Sequence, residues 1–326
     1  MTIYDSSSFW ETAIWKKLKQ LFPVKILAII YWKLLVVPKT VSTFVACQRV
    51  SLLAKLPLSK KHINSDYPIY ISLTTFPKRI DAVYYTICSL LIQKKHADKI
   101  ILVLAKEEFP KGVNSLPKRL QSLLKKHIEI LWCDENLKPH NKYYYAMKKY
   151  PQAYIITVDD DIIYPRNLVQ NLFFHTNKHP NSVITNGSLQ ISIRNNTIAS
   201  FKKWKSNNVN SHYKINPNLA NTPRFDLVAE GYSGILYPPS ILPPETFNKE
   251  KIKSLAITID DLWLKTMELL ADIPVVCIQK KHGSHIIYFS QNIGLYKDNI
   301  EGGKNDILFS KLIQHYKEFN LLDKTK

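Results

Sequence analysis

From Tyr67 onward, short apolar runs alternate with stretches whose apolar positions recur every three to four residues. Residues 68–75 (PIYISLTT), 99–105 (KIILVLA), 128–132 (IEILW) and 153–158 (AYIITV) are rich in β-branched residues, with little polar interruption. Such runs predict strands buried on both faces. Helical spacing fills 80–94 and 141–149, and a loop with a basic helix is predicted for 106–127. This β-α-β-α-β-α-β order predicts a doubly wound, mostly parallel sheet with flanking helices, whose ligands gather at the carboxyl ends of the strands. Past Pro165 the pattern predicts a helix over 166–177, a strand over 181–185 and polar, Asn-rich loops over 195–222. A turn leading into a helix follows across 257–272, then a strand over 273–279 and a terminal helix over 306–322.

The first 65 residues have a different texture, and a boundary is placed before residue 66. Within them, Pro23 and Pro38 bracket about fourteen mostly apolar residues, roughly 21 Å of helix against the ~30 Å hydrocarbon core of a bilayer. Lys25 and Lys33 fall near one side of that helix, beside Tyr31 and Trp32. The segment reads as a basic amphipathic helix, lying on an anionic membrane surface or packed on the following domain.

Charge sharpens this. The chain carries 45 Lys+Arg against 26 Asp+Glu, a net +19. The first 62 residues hold ten Lys/Arg against only Asp5 and Glu11. The excess points to an anionic partner. Its density beside the apolar stretch favours a membrane, and no nucleic-acid partner is expected. Four scattered cysteines form no CxxC pair, so reduced cytosolic thiols are expected. No signal-peptide pattern opens the chain, and the expected location is cytoplasmic, peripheral on the inner face of the membrane.

The candidate chemistry centres on Asp159-Asp160-Asp161, which follow the strand at 153–158 and precede Ile162-Ile163. Three adjacent carboxylates in apolar surroundings need a cation. Strand alternation would put Asp159 and Asp161 on one face and Asp160 on the other. Oxygen ligands suit Mg²⁺ or Mn²⁺ with positions open for phosphate. Thr74, Thr75 and Arg79 fall at another strand end, and Lys142 opens a helix. Gly231-Tyr232-Ser233-Gly234 combines close backbone approach with an aromatic face on which a sugar can stack. Asp260-Asp261 precede Leu262-Trp263 at the start of a helix, where either serves as a cap or as a base. His282 and His285 lie just past the late strand.

In this order the motifs resemble GT-A-fold glycosyltransferases of bacterial polysaccharide and lipopolysaccharide assembly, over about residues 67–290. The resemblance implies a GT-A-like fold with a nucleotide-sugar-binding half (66–165) and an acceptor-binding half (166–326). It implies Asp159 nearest the ribose, Asp160 close to the sugar and Asp161 on a divalent metal, with Asp159, His282 or His285 as further ligands. Thr74, Arg79 and Lys142 would meet the donor. The 231–234 turn and Trp263 would meet the acceptor. Asp261, with Asp260 as the alternative, would be the general base of an inverting transfer, retention being the second mechanism. The expected activity is hexosyl transfer from a nucleotide-diphosphate sugar, UDP-linked first, to a sugar hydroxyl of a lipid-linked or surface glycan. A metal-dependent nuclease or nucleotidyltransferase, or a non-catalytic membrane scaffold, stands as the alternative.

Overall fold

The computed structural model describes residues 37–57, 61–126, 128–194, 197–206, 220–278, 284–287, 303–319 and 323–325. The helix expected at 21–38 lies outside them except for its last two residues, and so does His282. The described chain opens with helix α1 (Val37–Leu53), which the sequence pattern did not predict. Then come β1 (Ile69–Thr74), α2 (Ile80–Leu91), β2 (Lys99–Ala105), β3 (Ile128–Cys133), α3 (Asn141–Lys149) and β4 (Tyr154–Thr157). Between β2 and β3 the expected basic helix is a single four-residue turn, Lys118–Gln121.

Beyond β4 lie β5 (Ile162–Ile163), α4 (Leu168–Lys178), β6 (Val183–Thr185), β7 (Ser188–Gln190), β8 (Ile193–Arg194) and β9 (Thr197–Ile198). They are followed by β10 (Lys205–Ser206), β11 (Pro223–Arg224), β12 (Leu227–Ala229) and β13 (Ile235–Tyr237). Helix α5 (Asp260–Leu270), β14 (Val275–Cys277), β15 (His285–Ile286) and α6 (Lys304–His315) complete the set.

Eight strands form the central sheet in the order β11-β14-β6-β13-β4-β1-β2-β3. The β4-β1-β2-β3 half is parallel throughout, as is the β14–β6 pair. The sheet alternates its side chains between two cores. On β2, Ile100, Leu102 and Leu104 join the cluster beneath α2, while Ile101, Val103 and Ala105 face α3. That two-sided burial explains why the strand reads as an unbroken apolar run.

One strand breaks the parallel pattern in a way that builds the site. β13 runs antiparallel between β4 and β6, with Ile235 opposite both Thr157 and Thr185. Its amino end therefore lies beside the carboxyl end of β4. The 231–234 turn leading into β13 arrives next to the acids that leave β4.

Helix α1 packs on α2 through Cys47, Val50 and Ala54, which are buried. The Thr43 hydroxyl donates to the Ile286 carbonyl (3.2 Å), and the Ser51 and Tyr84 hydroxyls share a hydrogen bond of 2.8 Å. No helix among the described residues is long and apolar enough to cross a membrane.

Candidate active site

The ladder of β4 against β1 continues to Val158, whose N–H donates to the Ser72 carbonyl (3.1 Å). The three acids leave the sheet directly after it, and the alternation expected of a strand no longer applies. Asp160 and Asp161 instead share one cation: Arg79 Nη1 lies 2.8 Å from Asp160 Oδ1 and 3.1 Å from Asp161 Oδ2. Asp159 turns the other way, to Lys142. Its backbone N–H donates to the Tyr164 hydroxyl (2.9 Å).

Asp160 is the structural member of the triad. The Thr75 hydroxyl donates to its Oδ2 (2.6 Å), and the Thr86 hydroxyl of α2 donates to its backbone carbonyl (2.8 Å). Burial raises its proton affinity, and the Arg79 guanidinium opposes that shift. Thr74, expected at the donor site, donates to the Val103 carbonyl of β2 (2.9 Å). Alternation along β1 turns its neighbour Thr75 to the acids instead.

Lys142 joins the two acidic groups. Its ammonium is 2.7 Å from Asp159 Oδ1 and 2.8 Å from Asp260 Oδ2, and the residue is buried. Burial works against its charge, but Asp159, Asp260 and Asp261 overcome it and hold the lysine protonated well above its ordinary range. His140, two residues earlier, is fully buried and pushed down to about 4 by burial, so it is neutral at pH 7. In the matching tautomer its Nε2–H donates to the Ala256 carbonyl (2.8 Å), and its Nδ1 accepts from the Tyr143 hydroxyl (2.9 Å).

Asp260 and Asp261 open α5, but Asp261 does not cap it. Its Oδ2 accepts from the Gly231 N–H (3.1 Å), and its Oδ1 is buried without a hydrogen-bond partner. Burial raises its proton affinity well above the usual carboxylate range, reinforced by the neighbouring Asp260 and Asp159 charges. For Asp260, burial is outweighed by Lys142, which holds that carboxyl below its usual range. Two adjacent carboxyls pushed apart in proton affinity form the arrangement from which a base is drawn.

Gly231 sits at the centre. A Cβ there would lie 2.7 Å from Lys142 Nζ, 3.1 Å from Asp159 Oδ1 and 3.3 Å from Asp261 Oδ1. Of its neighbours, Tyr232 is half-buried. Ser233 is fully buried, and its hydroxyl donates to the Glu230 carbonyl (2.7 Å). Gly234 takes a positive φ of 84°.

Trp263, expected to meet an acceptor, is instead fully buried in the core, with its indole N–H donating to the Thr246 carbonyl (3.1 Å). Helical spacing explains this: two residues beyond Asp261 the side chain points away from the cleft. His285 is exposed on β15, opposite Ile163. That strand pair is tied to the triad through the Ile287 N–H, which donates to the Asp161 carbonyl (2.8 Å). Glu230 was not anticipated. Burial pushes its carboxyl up to about 8, and its Oε2 has no hydrogen-bond partner. Its only signal in the sequence is an acid placed directly before the 231–234 turn.

The five carboxylates at 159–161 and 260–261 face two basic side chains, Arg79 and Lys142. That excess of negative charge, all on oxygen donors, fits a hard divalent cation. No group of three or more His, Cys, Asp or Glu side chains forms a ready-made shell among the described residues.

The sequence matches no protein-family model and no curated protein. Among solved structures it aligns with a mannosyltransferase from Pyrobaculum calidifontis in complex with GDP-Man and Mn²⁺. The identity is 10%, covering 89% of this chain and 83% of that one, with a TM-score of 0.41. It also aligns with the UTP-bound UGPase of Acinetobacter baumannii, at 10% identity over 74% and 98% of the two chains and a TM-score of 0.36. S. aureus TarS 1–349 in complex with UDP gives 14% identity over 66% and 59%, with a TM-score of 0.33. These are distant likenesses, and the chemistry is read from the site itself.

Proposed function

We propose that this chain is a glycosyltransferase that moves a hexose from a nucleotide-diphosphate sugar, UDP-linked first, to a hydroxyl of a lipid-linked or surface glycan. The observation that carries this reading is the meeting of two acidic groups, about a hundred residues apart in sequence, on one buried lysine at the carboxyl end of the sheet's parallel half. One group suits a leaving diphosphate and the other an attacking hydroxyl.

Asp161 would hold a divalent cation, Mn²⁺ or Mg²⁺, which when bound supplies charge stabilisation to the leaving diphosphate, while Asp159, turned to Lys142, would face the donor nucleotide. Lys142 keeps Asp260 ionised, and that fixed charge raises the proton affinity of Asp261. Asp261 then accepts the proton of the acceptor hydroxyl as that oxygen attacks the anomeric carbon with inversion. The Gly231 N–H fixes the orientation of the Asp261 carboxyl. Half-buried Tyr232 offers the acceptor sugar an aromatic face. The basic apolar segment before residue 66 holds the enzyme at the inner face of the membrane, where a lipid-linked acceptor lies.

The test is a panel of UDP-, GDP- and CMP-sugars, scored for thermal stabilisation and hydrolysis with Mn²⁺, with Mg²⁺ and with chelator. At least one sugar nucleotide is expected to stabilise the protein in a metal-dependent way. A protein indifferent to all of them, with or without metal, is not a glycosyltransferase.

A further inference from the structure

We propose that the outer face of α1 is a docking surface for an anionic lipid bilayer. Val41, Phe44, Val45, Gln48 and Leu52 fall on one stripe of this helix, by its 3.6-residue period. The four apolar members are each more than half exposed. Thr43, Cys47, Val50 and Ala54, on the opposite side, are buried. A helix apolar on both sides is normally enclosed, yet here the domain covers only one of them among the described residues. A contiguous apolar face of this kind marks an interaction site.

Charge selects the occupant. From Thr12 to Ser65 the sequence has no Asp or Glu and ten Lys/Arg. Arg49 and Lys55 flank the apolar stripe and are exposed. Apolar side chains rimmed by positive charge, in a stretch of sequence without acids, match the headgroup region of an anionic membrane. A second copy of a chain with net charge +19 would bring like charge to the same face.

The placement reaches the acids. Thr43 of α1 is bonded to the carbonyl of Ile286 on β15, and the next residue, Ile287, is bonded to the Asp161 carbonyl. Docking through α1 therefore fixes the triad relative to the bilayer. Only the purpose of this docking, the capture of a lipid-linked acceptor, rests on the glycosyltransferase reading.

All four native cysteines are buried, so an environment-sensitive dye placed on a Phe44→Cys variant of the full chain reports this face alone. With vesicles of phosphatidylcholine plus phosphatidylglycerol, its emission is expected to shift to the blue and rise several-fold. Pure phosphatidylcholine should give little change, and the same dye on an Ile307→Cys variant of α6 should stay silent. In flotation, Phe44→Ser/Leu52→Ser is expected to bind anionic vesicles roughly tenfold more weakly or worse, at an unchanged unfolding temperature. A silent dye on a floating protein would overturn the proposal and leave membrane binding to residues before α1. A blue shift that grows with protein concentration in the absence of lipid would overturn it in favour of a second copy. Failure of the glycosyltransferase reading would show separately, as no thermal stabilisation by any sugar nucleotide, with the dye signal unaffected.

Discussion

Gly231→Ala tests the geometry of the site with a single methyl group. Gly231 is not among the glycines at positive φ, so the added carbon acts through contact alone. It would lie 2.7 Å from Lys142 Nζ, where ordinary packing asks for about 3.5 Å or more. Lys142 is free to retreat only by lengthening its ion pairs to Asp159 and Asp260, now 2.7 and 2.8 Å. A retreat of roughly 1 Å carries both beyond hydrogen-bonding distance. The Asp159 and Asp261 oxygens, at 3.1 and 3.3 Å, close off sideways relief. Each charge-assisted bond is worth about 1.5–3 kcal/mol, so a loss of about 3 kcal/mol in stability is expected. A displacement of that size near reacting groups costs about 10²-fold in turnover. Chemical denaturation and transfer assays on the purified variant measure both. Should Gly231→Ala keep wild-type stability and turn over within threefold of wild type, Lys142 is not clamped as described and the central position of this glycine is wrong.

Asp261→Asn is expected to leave nucleotide-sugar stabilisation intact and to lower transfer by about 10²–10⁴-fold, the range for a lost general base; transfer within tenfold of wild type would place the base elsewhere. Asp160→Asn leaves Arg79 half-paired in a buried setting, and a loss of about 3–5 kcal/mol is expected by denaturant unfolding, more than for any exposed acid such as Asp134. Glu230 titrates at about 8 in the folded chain against 4.5 unfolded. A raised carboxyl favours the folded state while protonated, so its contribution is full below pH 4.5 and is lost as pH rises to about 8. Each unit is worth about 1.4 kcal/mol, at most about 5 kcal/mol in all. Glu230→Gln should flatten the fall in stability between pH 5 and pH 9, and equal slopes in both proteins would show that the carboxyl is solvated.

Much of the sheet was legible because its strands are buried on both faces, which makes β1, β2 and β4 continuous apolar runs. Helix α3 emerged with the bounds read from its sequence, Asn141–Lys149. Helix α1 escaped for the opposite reason: its apolar residues face both the domain and solvent, so no single stripe stands out. The acids at 159–161 and 260–261 were visible as residues, but their partners were not. Arg79 is some eighty residues from Asp160, and Lys142 precedes both acidic groups in sequence, the second by more than a hundred residues, so their pairing is a product of topology. The same holds for Gly231, which reaches Asp159 only because β13 enters the sheet antiparallel. Strand parity assigned the wrong members of the triad to a common face, because the chain leaves the ladder at Val158.

β13 has a consequence for synthesis. It supplies the second neighbour of β4, from a point nearly eighty residues later in the chain. Until it emerges, β4 is an open edge of apolar residues with unsatisfied backbone groups, a template for pairing with another chain. Lys142 meanwhile lacks Asp260. The nascent protein thus passes through a stretch of elongation in which the parallel half of the sheet exists in outline but is prone to aggregation, and any attempt to express residues 66–165 alone inherits that hazard.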